Sequence, residues 1–379
     1  MLITFENLTL MLLVFFIGAC LGSFFKLCVD RYATQDSFIF KPSYCFNCKN
    51  KILWWQNIPT ISYLILRGKC FFCKTKIDIN CLYSEIAIGL IVLVTFISGM
   101  TEGKSNIELI TTLIFLCFLA LLSMFDLKHR IIPHVITYSA IVLLLVITSI
   151  FQNKPLTISL SNLAIAYIFM DLLYFFATLI KRFEPEINTI SIPLIIWTTI
   201  FFYSHNIYLS IIPCLVYLAT LKLEIKQKAY LVSWIVFSLL FMIQIYKILF
   251  VDFNTSSLNL LLVGMGVIYF ICEIVLYFFS ILSPENKSQD EVKMAISAPK
   301  ALIGGGDITV FALISLFLGY KLAFIVLFIA SLLGIISHLI IGVLKKFRVF
   351  NSKSSTSQIP FVPYLFIACF IIIIISYGK

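Results

Sequence analysis

The sequence predicts an all-α polytopic membrane protein of about twelve transmembrane helices, with a small cytoplasmic tetracysteine domain after the first helix. Three observations predict it. Hydrophobic residues make up 61% of the 379-residue chain and charged residues 12%, with a mean hydropathy of +1.05. Soluble domains carry roughly twice that charged fraction, about 25%. Apolar runs of the length that spans a bilayer, about 20 residues, recur along the chain. One long polar stretch, residues 32–81, interrupts them early and holds two Cys-x-x-Cys pairs. A net charge of +10 points to nucleic acid only in a soluble chain. Here it reflects Lys and Arg gathered in cytoplasmic loops, and no nucleic-acid partner is expected.

Residues 1–31 form the first span, about Leu8–Val29. Lys26 and Arg31 follow the apolar run instead of preceding it, so it reads as an uncleaved span and not a signal peptide. Gly18 and Gly22 are spaced for close helix packing. Residues 32–81 carry Lys41, Lys49, Lys51, Arg67, Lys69, Lys74 and Lys76, which sets this segment in the cytoplasm and the N-terminus outside. Cys45-x-x-Cys48 and Cys70-x-x-Cys73 can offer four thiolates to one tetrahedral Zn²⁺, in a zinc-ribbon-like arrangement. Four protein ligands leave no open position, so the metal is structural, and it supports a segment too short for much core of its own. Cys20, Cys28, Cys81, Cys117, Cys214, Cys272 and Cys369 lie in or beside apolar runs and read as small packing residues.

Residues 82–151 hold the next spans, about Leu82–Met100, Ile107–Phe125 and Val135–Phe151. Glu85, near the cytoplasmic start of the second span, is either a helix-terminus anion or a site residue. The third span stops at Asp126-Leu127-Lys128-His129-Arg130, and Ile131-Ile132-Pro133 opens the fourth with Pro in the tolerated first turn. Residues 152–290 hold spans at about Thr157–Ile180, Ile190–Tyr203, Ile207–Leu221, Tyr230–Val251 and Leu258–Leu282. Asp171 and Glu273 fall inside these runs and either hydrogen-bond to each other or fix packing. Residues 291–379 hold Gly304-Gly305-Gly306-Asp307 and the last spans, about Ile308–Leu318, Leu322–Leu344 and Pro360–Tyr377. Asp307 is either the N-cap of a helix behind a Gly-rich turn or a functional carboxylate that bare glycine backbone lets another chain approach. By this reading an even number of spans separates Asp126 from Asp307, so both lie at the cytoplasmic border, on the face that carries the cysteines.

Two carboxylates within hydrogen-bond reach cannot both ionise easily and share a proton. The ionised member takes a proton from water, which attacks a peptide carbonyl; the protonated member polarises that carbonyl and supplies the leaving amine. No serine or cysteine nucleophile has an evident base partner, and His129, His134, His205 and His338 form no metal-ligand spacing. A transporter would use intramembrane acids such as Asp171 and Glu273, but no internal repeat is evident. A non-catalytic assembly scaffold would dock through the cysteine segment and have no need of Asp126 and Asp307.

These blocks resemble the type IV prepilin peptidases, membrane aspartyl proteases. Gly18-Ala19-Cys20-Leu21-Gly22-Ser23-Phe24 with Arg31, Pro42–Cys48 with Arg67–Cys73, and Glu85 resemble the family's N-terminal part. Phe125-Asp126 with Ile132-Pro133 resembles its first catalytic motif, Gly304-x-Gly306-Asp307 its GxGD motif, and Ile359–Tyr364 its last span. The resemblance implies catalytic Asp126 and Asp307, supported by Gly304, Gly306, Glu85 and Pro133. It implies prepilin or pseudopilin substrates with a short basic leader, cut on the cytoplasmic side of the bacterial inner membrane beside a pilus or type II secretion assembly. It also implies N-methylation of the new N-terminus with S-adenosylmethionine. The chain departs from the family at Lys128, where a second acid is common, at His134 after Pro133, and at Thr309 after Asp307. The interval between the two aspartates is also longer than in the family, as if about four extra spans were inserted within residues 150–290.

Overall fold

The computed structural model describes residues 5–32, 42–45, 47–181, 262–268, 270–271, 274, 304–346 and 360–377. These are helical apart from short connections and the cysteine segment. The isolated bridges Tyr44–Lys51 and Lys69–Lys76 are their only β pairing, with no strand. The helices are α1 (Phe5–Tyr32), α2 (Ile61–Ile65), α3 (Ile79–Thr101), α4 (Asn106–His129), α5 (His134–Ile150), α6 (Leu156–Lys181), α7 (Gly305–Leu318), α8 (Tyr320–Lys346) and α9 (Val362–Tyr377). Among the described residues, four segments are long and apolar enough to cross a membrane: Leu8–Tyr32, Ile79–Thr101, Asn106–His129 and Tyr320–Ile340. Shorter apolar helices accompany them at His134–Ile150, Leu156–Asp171, Gly305–Leu318 and Val362–Tyr377. The spans expected from Ile190 to Val251, most of Leu258–Leu282, and His205, Cys214, Cys272 and Glu273 lie outside the described residues.

Helix ends differ from the hydropathy boundaries by a few residues, for local reasons. α1 continues through Asp30-Arg31 to Tyr32, and the cation of Arg31 in its last turn suits the helix dipole. α4 passes Phe125 and carries Asp126 inside its last turn. It closes at Arg130, which adopts φ 58° and donates its amide to the Asp126 carbonyl. Pro133 stands just before α5 and not within its first turn.

The chain divides into two compact units, residues 1–133 with 326–379, and residues 134–325. In the first, α1 packs on α3 through glycine. A Cβ on Gly18 would lie 2.9 Å from Gly89 Cα, and one on Gly22 would lie 2.5 Å from the Ser84 carbonyl. That contact lets Val14 and Phe25 meet Ile88, Val92 and Ala120 in one buried cluster. α9 joins α4 through the Tyr377 hydroxyl, which donates to Thr112 Oγ1 at 2.6 Å. Outward faces are apolar, with Phe328 66% and Leu339 62% exposed, as a lipid-facing surface requires. In the second unit, α7 is buried on every side: Val310, Phe311, Ala312, Leu313 and Ile314 have no exposed surface. A helix hydrophobic all round belongs in an interior. α6 receives it, with the Ser315 hydroxyl donating to the Asn162 carbonyl at 2.8 Å and Phe169 lying against Phe311 and Phe324.

Candidate active site and cysteine centre

Asp126 is 8% exposed. Its Oδ2 accepts the Val362 amide, 3.0 Å away, at the start of α9. The first amides of a helix have no intrahelical acceptor and carry the positive end of its dipole. Pro360 and Pro363 flank this turn and donate no N–H.

Asp307 occupies the third position of α7, behind Gly304 as N-cap. Its Oδ2 accepts the Gly304 amide at 3.2 Å, while its own amide donates to the Gly304 carbonyl at 3.0 Å. The aspartate is therefore not the N-cap itself. Gly304 is extended, at φ −74° and ψ 141°, so no left-handed backbone demands glycine there. A Cβ on Gly304 would sit 3.3 Å from Asp307 Oδ2, and one on Gly305 would meet nothing within 4 Å. The glycines leave open space beside the carboxylate. Asp126 belongs to the first unit and Asp307 to the second, so their pairing stands as a proposal.

Glu85 lies past the first turn of α3, whose N-cap is Asp78. Its Oε2 accepts the Thr60 amide at 2.6 Å and ties the cysteine lobe to α3. The helix-terminus role, one of the two open to Glu85, belongs to Asp78, which accepts the Asn80 amide at 3.0 Å. Burial pushes the Asp78 carboxyl up, but the Asn80 amide and Lys26 outweigh it and hold it below the usual carboxylate range.

Sequence reasoning missed an ionic clamp. Asp30 at the end of α1 accepts from Lys26 at 2.6 Å and from Lys128 at 2.5 Å. His129 Nε2 lies 2.7 Å from the Val29 carbonyl, and the Tyr32 ring packs edge-on to Phe125. The end of α1 is thus fixed to the turn of α4 that holds Asp126. The signal in the sequence was Lys128, a cation two residues after the candidate aspartate.

The four sulfurs of Cys45, Cys48, Cys70 and Cys73 lie within 4.8 Å of one another, and Cys45 and Cys73 are 3.8 Å apart. A tetrahedral zinc with bonds of about 2.3 Å requires sulfur–sulfur edges of about 3.8 Å, so the cluster is compatible with zinc. Its halves fold alike. The Cys45 and Cys70 amides donate to the Asn50 and Thr75 carbonyls, and Lys49 and Lys74 take φ 58° and 60°. The repeat C-F-x-C-K-x-K, at Cys45–Lys51 and Cys70–Lys76, announces this symmetry. The Thr75 hydroxyl and amide hold the Cys73 thiol down at about 5. Cys48 feels the lowering pull of the Asn50 amide, but desolvation and the thiols of Cys73, Cys45 and Cys70 push it up to about 11. Four thiols this close do not all ionise without a cation among them.

Residues 16–98, which include the cysteine lobe, match the Bacterial Peptidase A24 N-terminal domain. A prepilin leader peptidase/N-methyltransferase of Myxococcus xanthus is 30% identical over 120 residues, 32% of this chain and 35% of that protein. Over the matched segments this chain is similar to prepilin leader peptidase/N-methyltransferases. A protein of the same name from Vibrio cholerae is 29% identical over 144 residues, 38% of this chain and 54% of that protein. One from Pseudomonas putida is 27% identical over 142 residues, 38% and 48% respectively. The matched segments thus span about a third to a half of these prepilin peptidases. No solved structure matches the chain.

Proposed function

We propose that this chain is a membrane aspartyl endopeptidase that removes the basic leader from type IV prepilins or pseudopilins and N-methylates the new N-terminus. The observation that carries the reading is Asp126: a buried carboxylate held by the first free amide of α9, in a chain whose other boundary aspartate sits in a GxGD turn. Asp126 and Asp307 form the dyad. One carboxylate takes the proton of the attacking water; the other, protonated, polarises the scissile carbonyl and then protonates the leaving amine. Each carboxylate accepts one backbone amide, Asp126 from Val362 and Asp307 from Gly304, so either can be the ionised member of the pair. The open space at Gly305 admits the extended leader beside Asp307.

The proposal includes about twelve spans, with the dyad and the cysteine lobe on the cytoplasmic side of the inner membrane. It also includes extra spans within residues 150–290 that dock a partner or pack the second unit. Cys45, Cys48, Cys70 and Cys73 hold a structural zinc. S-adenosylmethionine supplies the methyl group.

The test is in-cell processing of a tagged prepilin. Asp126→Asn and Asp307→Asn, at membrane levels equal to wild type, are each expected to accumulate uncut prepilin. Full cleavage by either variant removes that aspartate from the mechanism. The mass of the mature N-terminus reports methylation.

A further inference from the structure

The cysteine lobe turns an apolar face outward. Its short helix α2 carries Ile61, Leu64 and Ile65 at helical spacing on one side, 40%, 67% and 67% exposed. The other side turns inward: Ser62, Tyr63 and Leu66 border a cavity of about 730 Å³, together with the buried Gln56. The 3₁₀ helix Trp54–Asn57 packs against α2 and leaves Trp54 81% exposed. A helix on a water-facing surface carries its polar residues outward, so this patch calls for something to cover it.

Depth and charge identify the cover. The Thr60 amide, at the entrance to α2, is bonded to Glu85, and Glu85 lies about 9 Å beyond Ile79 along α3. The span ends at Thr101, about 24 Å further on, and the hydrocarbon core of a bilayer is about 30 Å thick. A core whose far edge lies at Thr101 therefore has its near edge about 6 Å on the lobe's side of Glu85. Helices that lie in a membrane surface bury their apolar face roughly 5–10 Å into the headgroup boundary, and α2 stands at that level. A soluble partner does not reach a surface at this depth. Between Asp36 and Asp78 the chain has seven Lys or Arg and no acid. Lys51 precedes Trp54, Arg67 and Lys69 follow α2, and all three are exposed. An apolar helix face with Trp beside it and cations around it is the composition of a helix resting on anionic lipid. We propose that α2 and Trp54 dock the cysteine lobe onto the bilayer surface, with Ile61, Leu64 and Ile65 among the acyl chains and Lys51, Arg67 and Lys69 on the phosphates of anionic phospholipid.

The experiment uses the full-length protein carrying Trp55→Phe, Trp197→Phe and Trp234→Phe, which leaves Trp54 as the only indole. It is reconstituted into vesicles of phosphatidylcholine alone, or of equal parts phosphatidylcholine and phosphatidylglycerol, each with brominated acyl chains. Bromine is expected to quench Trp54, more strongly in the mixed vesicles, and aqueous acrylamide is expected to reach it little. Leu64→Gln with Ile65→Gln raises the undocked fraction at least about tenfold, the value of one buried Leu or Ile, and acrylamide quenching with it. Lys51→Gln with Arg67→Gln and Lys69→Gln abolishes the difference between the two vesicles. If the Phe substitutions prevent accumulation, hydrogen exchange of residues 58–66 in the wild type decides, with slower exchange expected in the mixed vesicles. Trp54 open to acrylamide and untouched by bromine in both vesicles overturns the proposal and leaves the patch to a protein partner. Equal bromine quenching, or equal exchange, in the two vesicles overturns the assignment to anionic lipid.

Discussion

Glu85→Ala is the most informative perturbation outside the dyad, because it removes the bond that joins a strained residue of the cysteine lobe to α3, leaving the Arg31 bond to the Pro42 carbonyl in place. Thr60 adopts φ 60° and ψ −49°. The Ile61 amide closes a γ-turn on the Pro59 carbonyl at 2.6 Å, and the Thr60 hydroxyl donates to the same carbonyl at 2.7 Å. A β-branched residue at positive φ is disfavoured, and such strain costs of order 1–3 kcal/mol. The Glu85 carboxylate opposes it by accepting the Thr60 amide at 2.6 Å. A hydrogen bond to a charged group contributes roughly 1.5–3 kcal/mol. Removing it raises the population of the undocked segment by about 10- to 150-fold. Hydrogen exchange of residues 58–66 in detergent measures this directly. Glu85→Ala is expected to speed exchange there and to leave residues 106–129 unchanged. Thr60→Gly relieves the strain, against an entropic cost of roughly 0.5–1 kcal/mol, and is expected to slow exchange in the same segment. Unchanged exchange in Glu85→Ala would refute the reasoning, because the lobe would then be held by something else.

Other consequences follow from packing and from the cysteines. Gly22→Ala places a methyl 2.5 Å from the Ser84 carbonyl, where ordinary contact starts at 3.4 Å, so α1 and α3 must separate by the difference, 0.9 Å. Overpacking of this kind costs about 1–3 kcal/mol, and the variant is expected to lose thermal stability in detergent. Gly305→Ala, whose methyl meets nothing within 4 Å, is the control and is expected to melt as wild type does. Zinc bound by the cysteine cluster competes with protons. Near neutral pH the Cys48 thiol, pushed up to about 11, must lose its proton on binding, so apparent affinity rises at least about tenfold per pH unit. It collapses as pH falls through about 5, where Cys73 also protonates. Competition with a chromogenic chelator across pH reads this slope, and a pH-independent affinity would exclude the thiolates as ligands. Cys70→Ser is expected to lower metal content and to make the lobe sensitive to proteolysis.

The helical class, the apolar segments and the close thiol cluster were legible in the residues themselves. So was glycine-mediated packing of the first helix, since Gly18 and Gly22 bring bare backbone to one helix face. Helix ends were less legible. Hydropathy falls at Val29 and Phe125, but the backbone continues for several residues because Arg31, Lys128 and His129 suit a helix C-terminus. Of the two roles open to Glu85, the helix-end one falls to Asp78, and the bond Glu85 makes leaves no local pattern because its partner, Thr60, is remote in the chain. The ionic clamp on Asp30 escaped for the same reason.

The sequence by itself determined that the chain is a helical membrane protein with a lobe of four close thiols compatible with zinc and an aspartate at the end of each of two apolar runs. Those properties are local: a run of about 20 apolar residues suffices for a span, and Cys-x-x-Cys fixes two ligands within one turn. Only the tertiary structure decided which amide meets Asp126, what Glu85 holds, how α1 is clamped beside Asp126, and where a buried glutamine borders a cavity. Each of these joins residues far apart in the chain. Their partners are chosen by how helices pack, and periodicity names the buried face of a helix but not the residue it will meet.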